Sequence, residues 1–286
     1  MESVRAVLID IDGVLTVSWK PLPGAVEALR QIRASGLGVA LVTNTTSRTR
    51  ASIAATLGEA GFPVDAEDIL TAPAVTAAYL AERHPGARCS LLNSGDIRED
   101  LAGVTLIDEG DIEDRIEGGI EGETNGDTGG DKDTVPDVVV VGGAGPEFGY
   151  AALNRAFGHL QRGARLIAMH RNLYWRTDQG LQLDTGAFLI GLERAARTEA
   201  EITGKPAPAF FETALARLGV GPDEALMVGD DIESDVLAAQ RAGITGVLVK
   251  TGKYLPETHR AASGEPDHVL DSFADLPALL DAAASR

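Results

Sequence analysis

Cysteine is nearly absent. Cys89 is the single one among 286 residues, which excludes an intrachain disulfide and a thiolate metal cluster and leaves it as a core or surface thiol. Lysine is also scarce, five against twenty arginines. Positive charge as a whole is short: Lys and Arg total 25 against 43 Asp and Glu, a formal charge of −18, which argues against a nucleic-acid partner. No apolar run approaches the roughly 20 residues that span a bilayer, so no membrane partner is expected. The opening MESVRA leads directly into a strand-like run containing acids rather than into a secretory leader. The expectation is a cytoplasmic protein.

What is present describes a folded chain. At 44% hydrophobic and 24% charged residues, it can bury a sizeable core in one large domain or two modest ones. The charge is uneven. Residues 108–134 hold eleven acids against Arg115 and Lys132, half the net charge, in a Gly-rich context. That segment reads as a solvated insertion, with an interaction tail as the alternative. Acidic, Lys-poor composition fits either a high-salt cytoplasm, where net charge keeps proteins soluble, or a GC-rich genome.

The pattern along the chain alternates. RAVLIDID reads as a strand, PGAVEALRQIRASG as an amphipathic helix stopping at Gly36, and LGVALVTN as a second strand. SRTRASIAATLGEAG reads as a helix with Ser47 as its N-cap and Gly61 near its close. Toward the other end, AFFETALARLG, EALMVGDD, SDVLAAQRAG and GVLVKTG repeat helix, strand, helix, strand. This is the pattern of an α/β fold, a Rossmann-like, doubly wound parallel sheet covered on both faces, with functional groups at the carboxyl ends of its strands. The texture changes in the middle, where SLLNSG, TLIDEG and DVVVVGG are strands and PAVTAAYLAERHP and FGYAALNRAFGHLQRG helices. We read a core from 1–72 and 197–286, interrupted by an inserted α/β unit from 73–196.

Four strand or loop ends carry polar residues suited to one task. The first offers Asp10 and Asp12; the second Thr43 and Asn44; the third Lys205, before a helix; the fourth Asp230 and Asp231, with Asp235 beyond. Each alone has an ordinary explanation in turn chemistry, helix capping or a solvated surface charge. Together, at one edge of one parallel sheet, three or four carboxylates would repel unless a cation sat among them. Mg²⁺ suits carboxylates, water and phosphate oxygens, and a lysine with a threonine hydroxyl supplies what a phosphate needs.

In this order, DIDGVL, LVTN, GKP and GDDIESD resemble the four motifs of the haloacid dehalogenase-like hydrolase superfamily. The insert between the second and third resembles the C2-type cap of its class IIA phosphatases. TNTT, LIAMHRNLYW, ITGKPAPAFF, VGDDIESDV, AAQRAG and VLVKTGKY are similar to the phospholysine phosphohistidine inorganic pyrophosphate phosphatase-like branch. The resemblance implies a Mg²⁺-dependent phosphatase acting on a small phosphorylated substrate, with a cap that chooses the substrate and, in many relatives, forms a homodimer. It implies Asp10 as nucleophile and Asp12 as acid and base. Mg²⁺ would be held by Asp10, the Asp12 carbonyl and Asp230. Thr43 and Lys205 would bind phosphoryl oxygens, with Asn44 lining the pocket. Asp235 would orient Lys205 or metal-bound water, and Asp231 would either reach the metal through water or cap the next helix. Ile11 stands where the family usually has leucine or serine, facing the core. Some members of the branch lack the second aspartate; Asp12 is present here, which favours a hydrolase over a non-catalytic binding protein that retains the fold. A phosphomonoester is the broad expectation; a phosphoamide or pyrophosphate is the narrower one.

Three further features compete for attention. VGGAGPEFG at 141–149 has the wrong spacing for a dinucleotide loop and reads as a strand-to-helix turn. TGK at 251–253 lacks the upstream glycine of a phosphate loop, which places Lys253 at the rim of the site at most. His170 and Asn172 lie either in a packing turn or in a cap loop that touches substrate.

Overall fold

A computed structural model describes residues 4–107, 135–177 and 180–284; the acidic segment 108–134 lies outside the described residues. The chain divides into two compact units, Met1–Val75 with Thr203–Arg286, and Thr76–Ile202. It begins with β1 (Ala6–Asp10), α1 (Ala25–Ala34), β2 (Gly38–Thr43), α2 (Arg50–Glu59) and β3 (Ile69–Thr71). There follow α3 (Ala72–Arg83), β4 (Arg88–Leu92), β5 (Thr105–Leu106), β6 (Val138–Val141), α4 (Tyr150–Gln161) and β7 (Arg165–Ala168). Next come β8 (Tyr174–Thr177), β9 (Gly180–Leu183), α5 (Thr185–Ala196) and β10 (Glu201–Ile202). The chain ends with α6 (Pro208–Leu218), β11 (Ala225–Gly229), α7 (Ala238–Arg241), β12 (Thr245–Val249), β13 (His268–Leu270) and α8 (Leu276–Ala284).

The first unit is built on a six-stranded sheet in the order β13-β12-β11-β1-β2-β3, parallel throughout. β1 is buried along its whole length, as its unbroken apolar run requires of a central parallel strand. The two-residue strand period splits its side chains between two packed faces. Val7 and Ile9 join Leu41, Leu226 and Val228 on one; Leu8 joins Ala40, Val42 and Met227 on the other. α1 lays Ala25, Ala28, Leu29 and Ile32 on the first face, and α6 lays Phe210, Phe211, Ala214 and Leu215 on the second. Each large side chain so buried contributes about 1.5–3 kcal/mol. Ile11 is fully buried in the first cluster. The chain leaves β1 toward β2 and β3 and returns on the other side as β11, β12 and β13. β1 therefore stands at the reversal of strand order, where a crevice opens beyond the carboxyl ends.

The second unit has its own parallel sheet, β10-β7-β6-β4-β5. The glycines after β6 make a strand-to-helix turn packed on a neighbouring loop. Gly143 N–H donates to Asn93 Oδ1 (2.8 Å), and a Cβ on Gly142 or Gly145 would collide with Asn93 or Ser94. Several local features depart from the sequence expectation. The cap of α2 is Thr49, whose side chain accepts from Ser52 N–H at 3.2 Å; Ser47 lies too far upstream. The antiparallel pair β8–β9 had no period strong enough to announce it. SDVLAAQRAG is not one α-helix: Ile232–Leu237 forms a π-helical turn before α7.

No helix among the described residues is long and apolar enough to cross a membrane.

Candidate active site

The carboxyl edge of the first unit's sheet gathers the polar strand ends. Asp10 closes β1, Thr43 closes β2, Asp230 follows β11, and Lys205 lies just before α6; all four are buried. Lys205 Nζ donates to Asp10 Oδ1 (2.5 Å) and to Asp235 Oδ1 (2.7 Å). Burial by itself would lower the lysine, but the two carboxylates outweigh it and hold the ammonium well above its usual range. Asn44 fixes the lysine's backbone from both sides: its Nδ2 donates to Lys205 O and its Oδ1 accepts from Lys205 N–H, each at 2.9 Å. Both ends of that amide are consumed there. Thr43 Oγ1 accepts from Thr45 N–H (3.0 Å) and lies 2.9 Å from Thr45 Oγ1.

Asp230 is the least balanced group. Its Oδ2 accepts from Lys253 N–H (2.6 Å), while its Oδ1 is buried with no hydrogen-bond partner among the described residues. Burial, then repulsion from Asp10 and Asp235, pushes this carboxyl well above the usual range. Burial is also the largest influence on Asp10 and Asp235 and raises both, with Lys205 opposing. Oxygens of Asp10, Asp230 and Asp235 lie within 4.8 Å of one another. An all-oxygen cluster with surplus negative charge and one orphaned buried oxygen fits a hard divalent cation.

Two glycines make room for it. Gly13 (φ +85°) and Gly252 (φ +60°) pack against each other and against Asp230, and a Cβ on either would strike its carboxylate. Left-handed φ suits glycine at both positions. Thr251 Oγ1 donates to the Gly13 carbonyl (2.5 Å), tying the two loops. The TGK segment is thus part of the carboxylate surround: Lys253 is exposed, as a place at the rim requires, while its backbone N–H holds Asp230. Sequence reading missed these residues because the glycines act through a missing atom and the loops meet across 238 positions.

Asp12 has an exposed carboxylate, although the protein packed around it withdraws enough water to raise its carboxyl, against the pull of Lys253 and Lys205. Asp231 Oδ1 caps the π-helical turn, accepting from Glu233 N–H (3.1 Å) and Ser234 N–H (3.0 Å). That turn brings Asp235 against Gly229, where a Cβ would collide with it. π-Helical turns often mark functional sites. In the second unit, His170 is buried, with Nδ1 accepting from Asn172 N–H (3.4 Å) and Nε2 3.9 Å from Asp184 Oδ1. Asn172 O accepts from Gly186 N–H (2.8 Å), so this loop is fastened to the start of α5.

A haloacid dehalogenase-like hydrolase model matches residues 7–106, and an HAD-hydrolase-like model matches residues 202–276. The chain is 35% identical to haloacid dehalogenase-like hydrolase domain-containing protein 2 of Bos taurus, over 95% of this chain and 93% of that one. It is 34% identical to the phospholysine phosphohistidine inorganic pyrophosphate phosphatase of Xenopus laevis, over 95% and 92%. Among solved structures, the glycerol phosphate phosphatase of Mycobacterium tuberculosis in complex with magnesium is similar with a TM-score of 0.80. It is 29% identical, over 96% of this chain and 76% of that one.

Proposed function

The chain belongs to the haloacid dehalogenase-like hydrolase family, and on that premise we propose that it is a Mg²⁺-dependent phosphatase acting on a small phosphorylated compound through an aspartyl-phosphate on Asp10. The observation that carries this reading is the buried, unpartnered Oδ1 of Asp230 beside Asp10, next to a lysine already engaged by two carboxylates. Asp10, the Asp12 backbone carbonyl and Asp230 would hold the ion. When bound, it cancels charge so that an anionic nucleophile can meet an anionic phosphate.

The chain's own groups do the rest. An Asp10 carboxylate oxygen forms a bond to phosphorus as the bond from phosphorus to the leaving oxygen breaks, and the electron pair of the broken bond stays on that oxygen. Asp12 gives a proton to the leaving oxygen. Asp12 then takes a proton from water as that water attacks phosphorus, freeing inorganic phosphate and the Asp10 carboxylate. Lys205 and the Thr43 hydroxyl bind phosphoryl oxygens, and Asp235 aims Lys205. Asp231 serves as a cap. Asn44 acts as a positioning residue, because its amide is spent on the Lys205 backbone.

A second reading, hydrolysis of a phosphoamide or inorganic pyrophosphate, is favoured by the 34% identity to the Xenopus enzyme. A binding protein that merely retains the fold sits poorly with a complete set of Asp10, Asp12, Thr43, Lys205 and Asp230. The purified protein should hydrolyse p-nitrophenyl phosphate with Mg²⁺, lose that activity to EDTA and regain it on Mg²⁺ addition. Silence on a broad panel of phosphate esters, phosphoamides and pyrophosphate would sink both enzymatic readings.

The Asn44 clamp predicts a smaller effect. Asn44→Ala removes two hydrogen bonds from Lys205's backbone and should lower kcat about tenfold with a smaller change in KM. Kinetics matching those of the unsubstituted protein would show the clamp to be idle.

A further inference from the structure

We propose that Trp19 and Arg48 are positioning residues: their stack clasps the loop that carries Asp12 to the loop that follows Thr43, and so sets Asp12 against the leaving oxygen. This deepens the phosphatase reading and rests on it. Asp12 sits in a tight turn. Gly13 N–H donates to the Thr16 carbonyl (2.7 Å), and the N–H groups of Leu15 and Thr16 donate to the Ile11 carbonyl (3.0 and 3.1 Å). Asp12 and Thr16 also pair as an isolated β-bridge. From Thr16 the chain runs directly into a short hairpin, Thr16–Val17 against Lys20–Pro21. Whatever holds the tip of that hairpin therefore holds the backbone of Asp12.

The tip is strained on its own. Ser18 and Trp19 are the two residues between the paired Val17 and Lys20, at φ +49° and +63°. A two-residue turn with left-handed backbone at both positions suits Asn-Gly or Asp-Gly, and a bulky side chain there is an outlier. Such a residue persists where its surroundings over-determine it, and here they do. The Trp19 ring packs on the first core cluster and carries the Arg48 guanidinium over its face, Cζ 4.8 Å from the ring centre. Arg48 Nη1 donates to Thr56 Oγ1 (3.2 Å), and that hydroxyl donates to the Ser52 carbonyl (3.0 Å) within α2. A planar guanidinium can lie on a ring and donate in its own plane at once. Arg48 belongs to the segment that joins Thr43 to α2. On the other side of β1 in the strand order, Thr251 Oγ1 holds the Gly13 carbonyl (2.5 Å); the stack supplies the anchor on the Thr43 side. A phosphate bound at Thr43 and an acid at Asp12 are thereby kept in register by a contact made outside both residues.

The test uses the leaving group. p-Nitrophenolate departs with little help, whereas phenolate needs the proton that Asp12 supplies. The kcat/KM for phenyl phosphate, set against that for p-nitrophenyl phosphate, therefore reads the placement of Asp12. Trp19→Gly removes the ring and leaves a residue that the turn favours. Arg48→Met keeps an apolar stem for the ring and loses the charge and the donor. Each variant, shown folded by circular dichroism at the assay temperature, should lower kcat/KM about tenfold for phenyl phosphate and about twofold for p-nitrophenyl phosphate. The double variant should be no worse than the poorer single one, because the two side chains act as one contact. Trp19→Phe, which keeps a ring face, should recover most of the loss. Equal losses on both esters would make the stack a structural contact only and overturn the proposal. So would losses that multiply in the double variant, or kinetics matching those of the unsubstituted protein. Any of these results, with a wild type that hydrolyses both esters, sinks this inference alone. An inactive wild type would remove the phosphatase reading and this inference with it.

Discussion

Asp10→Asn should lower kcat at least about 10⁴-fold, because an amide oxygen cannot replace a carboxylate as the attacking group and the covalent route has no other entry. The substitution is nearly isosteric. Lys205 keeps Asp235 at 2.7 Å and an oxygen in place of the Asp10 partner, so folding should survive, as circular dichroism can check. A loss of metal binding would also silence the enzyme, since Asp10 lies in the carboxylate cluster. The two causes part on titration: if Asp10 is the nucleophile, saturating Mg²⁺ restores nothing. Acid-quenching the wild type during turnover should leave a phosphoryl group on the peptide that contains Asp10. Asp12→Asn should accumulate more of it where the leaving group departs unaided, because the attacking water then has no base. Should Asp10→Asn keep a tenth of wild-type kcat, or should no acyl phosphate be trapped, direct attack by water would replace the covalent route.

The strand ends were legible because each follows an apolar run whose burial is forced and whose polar terminus is therefore conspicuous. VLIDID, LVTN and VGDD announce Asp10, Thr43 and Asp230 in this way, and GKP announces Lys205 just ahead of the helix that Pro208 opens. The structure brings Asp10, Lys205, Asp230 and Asp235 together. What stayed hidden depends on contacts that the local sequence does not encode. Asn44 looks like a pocket residue until its amide is seen spent on a backbone 161 positions away. Gly13 and Gly252 look like turn glycines until Asp230 is found against both. The π-helical turn is hidden because its apolar positions satisfy a helical period. Ser47 and Thr49 are equally good caps on paper, and Thr49 wins through its extended backbone at the point where the helix starts.

Asp230→Asn should abolish the response to Mg²⁺ while leaving the metal-free fold as stable as before, or more so. In the metal-free protein, Asp230 presents a buried oxygen with no partner among the described residues and faces repulsion from Asp10 and Asp235. Leaving a buried polar group unsatisfied costs about 1–3 kcal/mol, more when it is charged. Asparagine keeps an oxygen for the Lys253 N–H, removes the repelling charge and offers its amide toward the neighbouring carboxylates. The gain should reach a few tenths to about 2 kcal/mol, or up to a few degrees in Tm. Function moves the other way. With a ligand carboxylate gone, the Mg²⁺ concentration for half-activation should rise at least about a hundredfold, and the Mg²⁺-dependent rise in Tm of the wild type should vanish. Thermal unfolding of both proteins, with EDTA and with Mg²⁺, gives the four values needed. A variant less stable than wild type in EDTA, yet still stabilised by Mg²⁺, would mean that Asp230 is a structural partner of Lys253 rather than a metal ligand. The expected crossing, more stable without the ion and unresponsive to it, would identify the strain at Asp230 as the cost of keeping a cation site open.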